Sequence, residues 1–364
     1  MRGDLPAHRP GSLGRRAALG ALPAVTLLAA GCASSAPAVR ATAPGQQGGT
    51  EAGVDAQPSS QEGVTGPPAP YVLLASYDLR HADQVAVTAS LLAWSRGRGT
   101  GATATAVALP GLYRTLGLRT PALLREPPRF PGDRLDPARS GGDLLVLWAG
   151  PTAAACREAA GRFTASTHAA LAPRWRQEGF LPPTTPGATP RNLFGFKDGT
   201  ENPPSSEYRR WLWHPDGTTY LVYRRIHMDV RGFAALPPTA QERVVGRHRD
   251  SGAPLGATSE RDPVDLYAKT PEGQYVIPVD AHVRLAHSRL DQGARMLRRG
   301  YSYDDGPAGR GLLFLAFMRD PALFTRVQQR LSESDAMSRF TEHRASAVGY
   351  VLPRFGEGRT VSWN

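Results

Sequence analysis

Three short stretches carry side chains that could do chemistry together. Asn192 to Asn202 reads N-L-F-G-F-K-D-G-T-E-N and sets Asp198 between Gly195 and Gly199, with Phe194 and Phe196 as apolar anchors. D-A-H-V-R-L-A-H-S-R, from Asp280, carries His282 and His287; M-L-R-R-G-Y-S-Y, from Met296, carries Arg298 and Arg299. A short carboxylate gripped by glycine-flanked backbone suits an acid aimed into an enclosed pocket, whereas the plain alternative is a surface turn, because D-G is a common turn dipeptide. A lone histidine among apolar residues is more often a satisfied core residue than a ligand, and an arginine there is usually an ion-pair partner. It is the combination that points to chemistry. One histidine with no usable cysteine and no second histidine at chelate spacing suits zinc poorly, but suits a single axial ligand to haem iron. His282 and His287 lie five apart, which on an extended segment puts them on opposite faces. Beside such an iron, splitting a peroxide needs a base that moves a proton between its two oxygens and a cation that stabilises the charge developing as they separate. Asp198 supplies the first and Arg298 the second. Aspartate titrates far below histidine, which predicts an acidic pH optimum.

The elements that must position these groups follow from hydrophobic period. Tyr71–Asp78 reads as a buried strand, Ala82–Trp94 as a helix, Ala106–Leu116 as a strand and turn, Asp143–Trp148 as a strand and Thr152–Ser166 as a helix. A Pro/Thr/Gly segment, Leu181–Pro190, leads into the acid-bearing loop. Thr218–Asp229 then reads as a strand, Pro238–Arg247 as a helix, Asp280–Leu285 as extended, Leu312–Met318 as a strand, Pro321–Leu331 as a helix and Ala347–Leu352 as a last strand. The order strand, helix, strand, strand, helix, strand occurs twice. This predicts an α+β fold of tandem ferredoxin-like halves, residues 69–205 and 206–364, each an antiparallel sheet covered by helices.

Composition narrows the classes. The 364 residues are 41% hydrophobic and 21% charged, with a net charge of +11 carried almost wholly by scattered arginine; lysine stands only at Lys197 and Lys269. No basic run of polyanion-binding length occurs, so no nucleic-acid partner is expected. Residues 1–32 read as an export signal: Arg15-Arg16 precede an apolar run, Ala17–Ala30, too short to span a bilayer. Twin arginines suggest the translocase for already folded proteins, with an ordinary secretory signal as the alternative. L-A-A-G-C resembles a lipoprotein box and makes Cys32 a candidate lipid anchor, so the chain is expected outside the cytoplasm, secreted or membrane-anchored. Residues 33–68, with almost no large apolar side chain, read as a disordered linker. With Cys32 so used, Cys156 stands alone and no internal disulfide is expected.

The motifs also carry a resemblance. G-F-K-D-G-T-E-N-P from Gly195, T-Y-L-V-Y-R-R-I-H-M-D from Thr219, D-S-G-A-P-L-G from Asp250, A-H-V-R-L-A from Ala281 and L-R-R-G-Y-S-Y from Leu297 together resemble the dye-decolorising peroxidases, in the exported bacterial subgroup that includes deferrochelatase-type proteins. The likeness runs from about Tyr71 to Pro353. It implies one haem b per chain, bound in the second half, and oxidation of bulky aromatic, dye-like donors by hydrogen peroxide through a ferryl intermediate. Haem-iron release for iron uptake, or haem binding without turnover, are the alternatives. It further implies that His282 is the proximal iron ligand, Asp198 the distal acid and base, and Arg298, rather than Arg299, the distal arginine. Gly195, Phe196, Gly199, Thr200 and Glu201 fall on the loop that would meet the haem. Asp335, in S-D-A-M-S-R-F, matches the carboxylate expected to hold the other ring nitrogen of the proximal histidine. His287 stands where the family commonly has asparagine.

Overall fold

Strand β1 (Tyr71–Leu79) is buried at every position from Val72 to Tyr77, with no alternation. Both of its faces are covered, which is the reading a continuous apolar run demands. The computed structural model describes residues 62–96, 101–185 and 187–352. The signal, most of the expected linker, Cys32 and the tail beyond Leu352 lie outside the described residues.

The remaining strands are β2 (Thr103–Ala108), β3 (Leu144–Gly150), β4 (Leu171–Phe180), β5 (Thr219–Met228), β6 (Leu297–Asp304), β7 (Arg310–Met318) and β8 (Thr341–Val351). Helices α1 (Glu62–Thr65), α2 (Gln84–Arg96), α3 (Pro110–Thr115) and α4 (Ala153–Thr167) belong to the first half. The second half carries α5 (Tyr208–Trp211), α6 (Val230–Ala234), α7 (Pro238–Val245), α8 (His282–Leu285) and α9 (Ala322–Ser334). The strands close into one antiparallel barrel in the order β1-β3-β2-β8-β5-β7-β6-β4. Each half therefore keeps the ferredoxin-like order, β4-β1-β3-β2 and β8-β5-β7-β6, and the two sheets join edge to edge. One seam pairs Val107 with Val351 and Ala108 with Tyr350; the other rests on Phe180 opposite Ser302.

Two cores follow from strand alternation. Leu74, Leu147, Leu221, Tyr223, Leu315 and Phe317 fill the barrel interior. On the outside of the first half, Leu73, Tyr77 and Trp148 pack against Phe163, Ala160 and Cys156 of α4. Thr152 caps α4 by accepting from the Ala155 N–H at 3.1 Å.

Several expectations are corrected. β4 occupies a stretch to which no element is assigned from sequence, since Pro173 and four charged or amide side chains mask its alternation. The segment expected to be extended around His282 is one helical turn, because Ala286 N–H returns to the His282 carbonyl at 3.0 Å. The linker ends earlier than expected: residues 62–68 are placed against the barrel, with Val64 fully buried in its interior cluster.

The halves are also joined by charge. Arg224 of β5 and Asp133 of the first half form an ion pair whose side chains are 1% and 2% exposed, and Arg224 Nε donates to His343 Nδ1 at 3.0 Å. Burial pushes the His343 imidazole down to about 3, with the adjacent guanidinium adding to the effect, so it is neutral. Removing Asp133 would leave Arg224 buried and unpaired. Asp133→Ala is expected to destabilise by about 3–5 kcal/mol, seen as a lower urea midpoint.

Candidate functional site

Alternation along β6 decides which arginine faces the site. Leu297, Tyr301 and Tyr303 point into the barrel interior, so Arg298 and Gly300 point outward and line a cavity, about 220 Å³, on the outer face of the second half. β5, β7, α8, α9 and the 192–202 loop close it. Leu312, Phe314, Leu323, Phe324 and Val327 give it an apolar lining, and Asp198, Glu201, Arg247, His282, Arg295 and Arg298 bring the charge.

The loop holding Asp198 is built almost wholly from local hydrogen bonds. Asn192 Oδ1 accepts from the N–H groups of Phe194 (3.0 Å) and Phe196 (3.3 Å), and Asn192 N–H donates to the Phe196 carbonyl at 2.9 Å. Gly199 turns at φ +98, a region side-chain-bearing residues avoid. Phe194 stacks on Phe233, with ring centroids 4.2 Å apart, which anchors the loop to α6. Asn202 ties loop to strand: its Nδ2 donates to the Arg298 carbonyl and its Oδ1 accepts from the Arg298 N–H, both at 2.9 Å. Asp198 Oδ1 thereby sits 3.8 Å from Arg298 Nη2. Gly300 completes the fit, since a Cβ there would lie 3.0 Å from Asp198 Oδ2.

His282 enters from α8. Its Nδ1 is 2.7 Å from Asp335 Oδ2, and Asp335, only 4% exposed at its side chain, is itself held where its Oδ1 accepts the Met337 N–H at 2.9 Å. The bond to a carboxylate makes Nδ1 the protonated nitrogen and leaves Nε2 for the cavity. Burial alone would depress the imidazole; the Asp335 charge and hydrogen bond outweigh it, and the net direction is upward. The donor set fits a haem: one free imidazole nitrogen, an apolar lining for a porphyrin, and the Arg295 guanidinium, suited to a porphyrin carboxylate.

The structure thus brings Asp198, Arg298, His282, Asp335, Phe196, Gly199, Thr200 and Glu201 to one cavity. Gly195 stands apart. It does not line the cavity; its φ of +85 and its missing side chain make room for Arg249, whose Nη2 would lie 2.7 Å from a Cβ. Arg299 points the other way, onto the carbonyls of Val64 and Gly66. His287 lines the same cavity as His282, contrary to the opposite-face expectation, because α8 ends at Leu285 and the chain turns at Ala286 before an extended His287; its Nδ1 accepts from the Arg289 N–H at 3.1 Å.

Two supports were not foreseen. Arg247, 5% exposed, bonds Glu201 Oε1 at 2.6 Å and the carbonyls of Gly252 (2.8 Å) and Glu260 (3.1 Å). Lys197, beside Asp198, reaches Glu260 Oε2 at 2.5 Å, and Thr189 Oγ1 donates to the same carboxylate. Lys197 is one of two lysines in a chain that otherwise uses arginine, and that rarity was the signal available.

Comparison with known proteins places the fold in a family. Residues 77–181 match the family model "Dyp-type peroxidase, N-terminal" and residues 189–355 match "Dyp-type peroxidase, C-terminal". The crystal structure of a DyP-type peroxidase from Streptomyces coelicolor superposes with a TM-score of 0.78 at 32% identity, covering 82% of this chain and 93% of that one. The chain belongs to the Dyp-type peroxidase family, whose cofactor is haem b. A dye-decolorizing peroxidase of Thermobifida fusca (strain YX) is 40% identical over 267 residues, 66% of this chain and 61% of that protein. A deferrochelatase of Escherichia coli (strain K12) is 34% identical over 262 residues, 65% of this chain and 61% of its own length. The chain therefore spans about three fifths of the curated relatives it matches.

The Lys197–Glu260 bond has a pH signature. Burial raises the Glu260 carboxyl, but the bonds from Lys197 and Thr189 outweigh it and hold it below the usual range. A carboxyl depressed in the folded state stabilises fully above its unfolded value, about 4.3, and the contribution is lost as pH falls through the folded value. Glu260→Gln is expected to lower the Tm at pH 7, by a deficit that shrinks as pH falls below the unfolded value, in calorimetric scans of both proteins across that range.

Proposed function

We propose that this protein is a haem b peroxidase that uses hydrogen peroxide to oxidise bulky aromatic donors. The observation that carries this reading is the Asp198–Arg298 pair, 3.8 Å apart, in the same cavity as a histidine fixed by Asp335. Holding a haem requires neither member of that pair.

When bound, the haem iron supplies the redox capacity that cleaves peroxide and later draws single electrons from a donor. His282 Nε2 would hold the iron. Asp335 keeps Nδ1 protonated, which fixes the ring's tautomer and orientation and makes the imidazole more electron-rich. Asp198 accepts a proton from hydrogen peroxide at a carboxylate oxygen and returns it to the departing oxygen. Arg298 presents a fixed positive charge where negative charge gathers as the O–O bond lengthens. Asn202 keeps the two in register through the Arg298 backbone, and Glu201, held by Arg247, shapes the cavity edge. Trp213, Tyr220 and Tyr301 are the aromatic candidates for relaying electrons from donors too large to enter; all three are buried.

The deferrochelatase relatives favour a second reading, release of iron from haem with the ring intact. Export through the twin-arginine route, and lipidation at Cys32, are proposed on Arg15-Arg16 and the L-A-A-G-C box.

Stopped-flow absorption of the haem-loaded protein mixed with peroxide tests the main reading. Asp198→Ala is expected to slow the spectral change by about 10²–10⁴, and Arg298→Leu by about 10²–10³. Both variants reacting at the wild-type rate would sink the assignment. Accumulation of free protoporphyrin would favour iron release instead. In a separate titration, Asp335→Asn is expected to weaken haem binding by about 10–100-fold.

A further inference from the structure

Arg299 is half-buried, with its Nε fully enclosed, in a way that the chemistry at Arg298 does not explain. It points from β6 toward the end of the barrel, where its Nη2 donates to the carbonyls of Val64 (2.8 Å) and Gly66, while its Nε has no partner. Burial pushes its guanidinium down, and no ion pair with a carboxylate relieves it among the described residues. A desolvated guanidinium is costly. Here it is given over to the carbonyls of one short segment.

That segment is seated from several directions. Val64 is fully buried in the barrel's interior cluster. Gly63 lies so close to β2 that a Cβ would fall 2.1 Å from Thr105 Oγ1. Leu181 N–H donates to the Pro70 carbonyl at 2.8 Å, and Pro67-Pro68 restricts the backbone in between. Gly66, Pro67 and Pro68 form part of the wall of a second cavity, about 680 Å³, which is also lined by Asp198, Asn202 and Arg298. Asp198 and Arg298 therefore border both cavities, the one suited to haem and this one.

Resting on the peroxidase reading, we propose that residues 64–68 form a strap that walls the route to Asp198 and Arg298, and that Arg299 is the positioning residue holding it. The strap sets the bulk of the molecules that reach the reactive pair. Small oxidants pass it held; larger ones need it displaced. The two adjacent arginines of β6 thus divide the work, Arg298 facing the reacting oxygen and Arg299 the wall of its approach.

The test uses the full haem-loaded chain and its haem-free form. Arg299→Met removes the strap's two hydrogen bonds, and backbone hydrogen exchange across residues 62–70 is expected to quicken about tenfold or more in both forms. Access is read without turnover, from the association rates of cyanide and 4-phenylimidazole followed by the haem spectrum. The bulky ligand is expected to gain about tenfold relative to cyanide, if the loosened strap is what excluded it. A double variant, Pro67→Gly with Pro68→Gly, loosens the strap while leaving Arg299 in place, and should shift the same ratio in the same direction. Unchanged exchange in Arg299→Met overturns the positioning role, and faster exchange with an unchanged ligand ratio in both variants overturns the wall. A wild-type protein that binds both ligands yet does not react with hydrogen peroxide would refute the peroxidase reading alone.

Discussion

The period of two along β6 is the constraint on which the site depends. Adjacent residues of a strand must face opposite ways, so Arg298 and Gly300 fall on the outer surface of the barrel while Arg299 and Tyr301 face its interior. Slipping the register by one residue would carry Arg299 into the cavity and Arg298 into the core. β7 prevents this by pairing with β6 along its whole length, from Leu297 opposite Phe317 to Asp304 opposite Arg310. The side chain of Asn202 then reads that register, because it bonds both backbone groups of Arg298 and brings the Asp198 loop to the correct residue. Distance at the site is in this sense inherited from sheet geometry.

Much of this was legible beforehand. The repeated order of strands and helices was visible because most elements have a clean hydrophobic period, and the three chemical stretches stood out by residue type. What escaped had physical reasons. β4 hides its alternation because Arg174, Arg176, Gln177 and Glu178 lie along it and Pro173 interrupts it. A four-residue helix at His282 is shorter than any window in which a period can be measured, so the segment was read as extended and His282 and His287 were assigned to opposite faces. The supports of the residues flanking Asp198, Glu260 on Lys197 and Arg247 on Glu201, come from chain that no local pattern links to the loop. The glycines were read alike, yet Gly199 serves the cavity and Gly195 serves Arg249. Which contact a left-handed glycine makes room for is decided by chain that arrives from elsewhere.

Local and long-range order also divide between the two sides of the site. The backbone of the acid's loop is shaped by its own hydrogen bonds and by Asn192, with distant ties from Phe194 to Phe233, Lys197 to Glu260 and Asn202 to Arg298. The histidine depends on distant chain: Asp335 lies fifty-three residues away, and the Ala336 N–H bonds the Asp280 carbonyl at 2.9 Å. A peptide of the first region could retain part of its shape, whereas His282 acquires its partner only when α9 has docked.

The two lobes share a topology but not an interior economy of space. On the outer face of the first, Trp148, Tyr77 and Phe163 fill the volume, and a Cβ at Gly150 would already press on Cys156 Sγ at 3.2 Å. On the equivalent face of the second, side chains stop short, and a Cβ at Gly300 would meet the Asp198 carboxylate. The same added methyl group is therefore a different event in each copy. In the first lobe it strains a packed core and is felt by the folding equilibrium. In the second it presses on the Asp198 carboxylate, so the same change acts on the lining of a cavity rather than on a filled core.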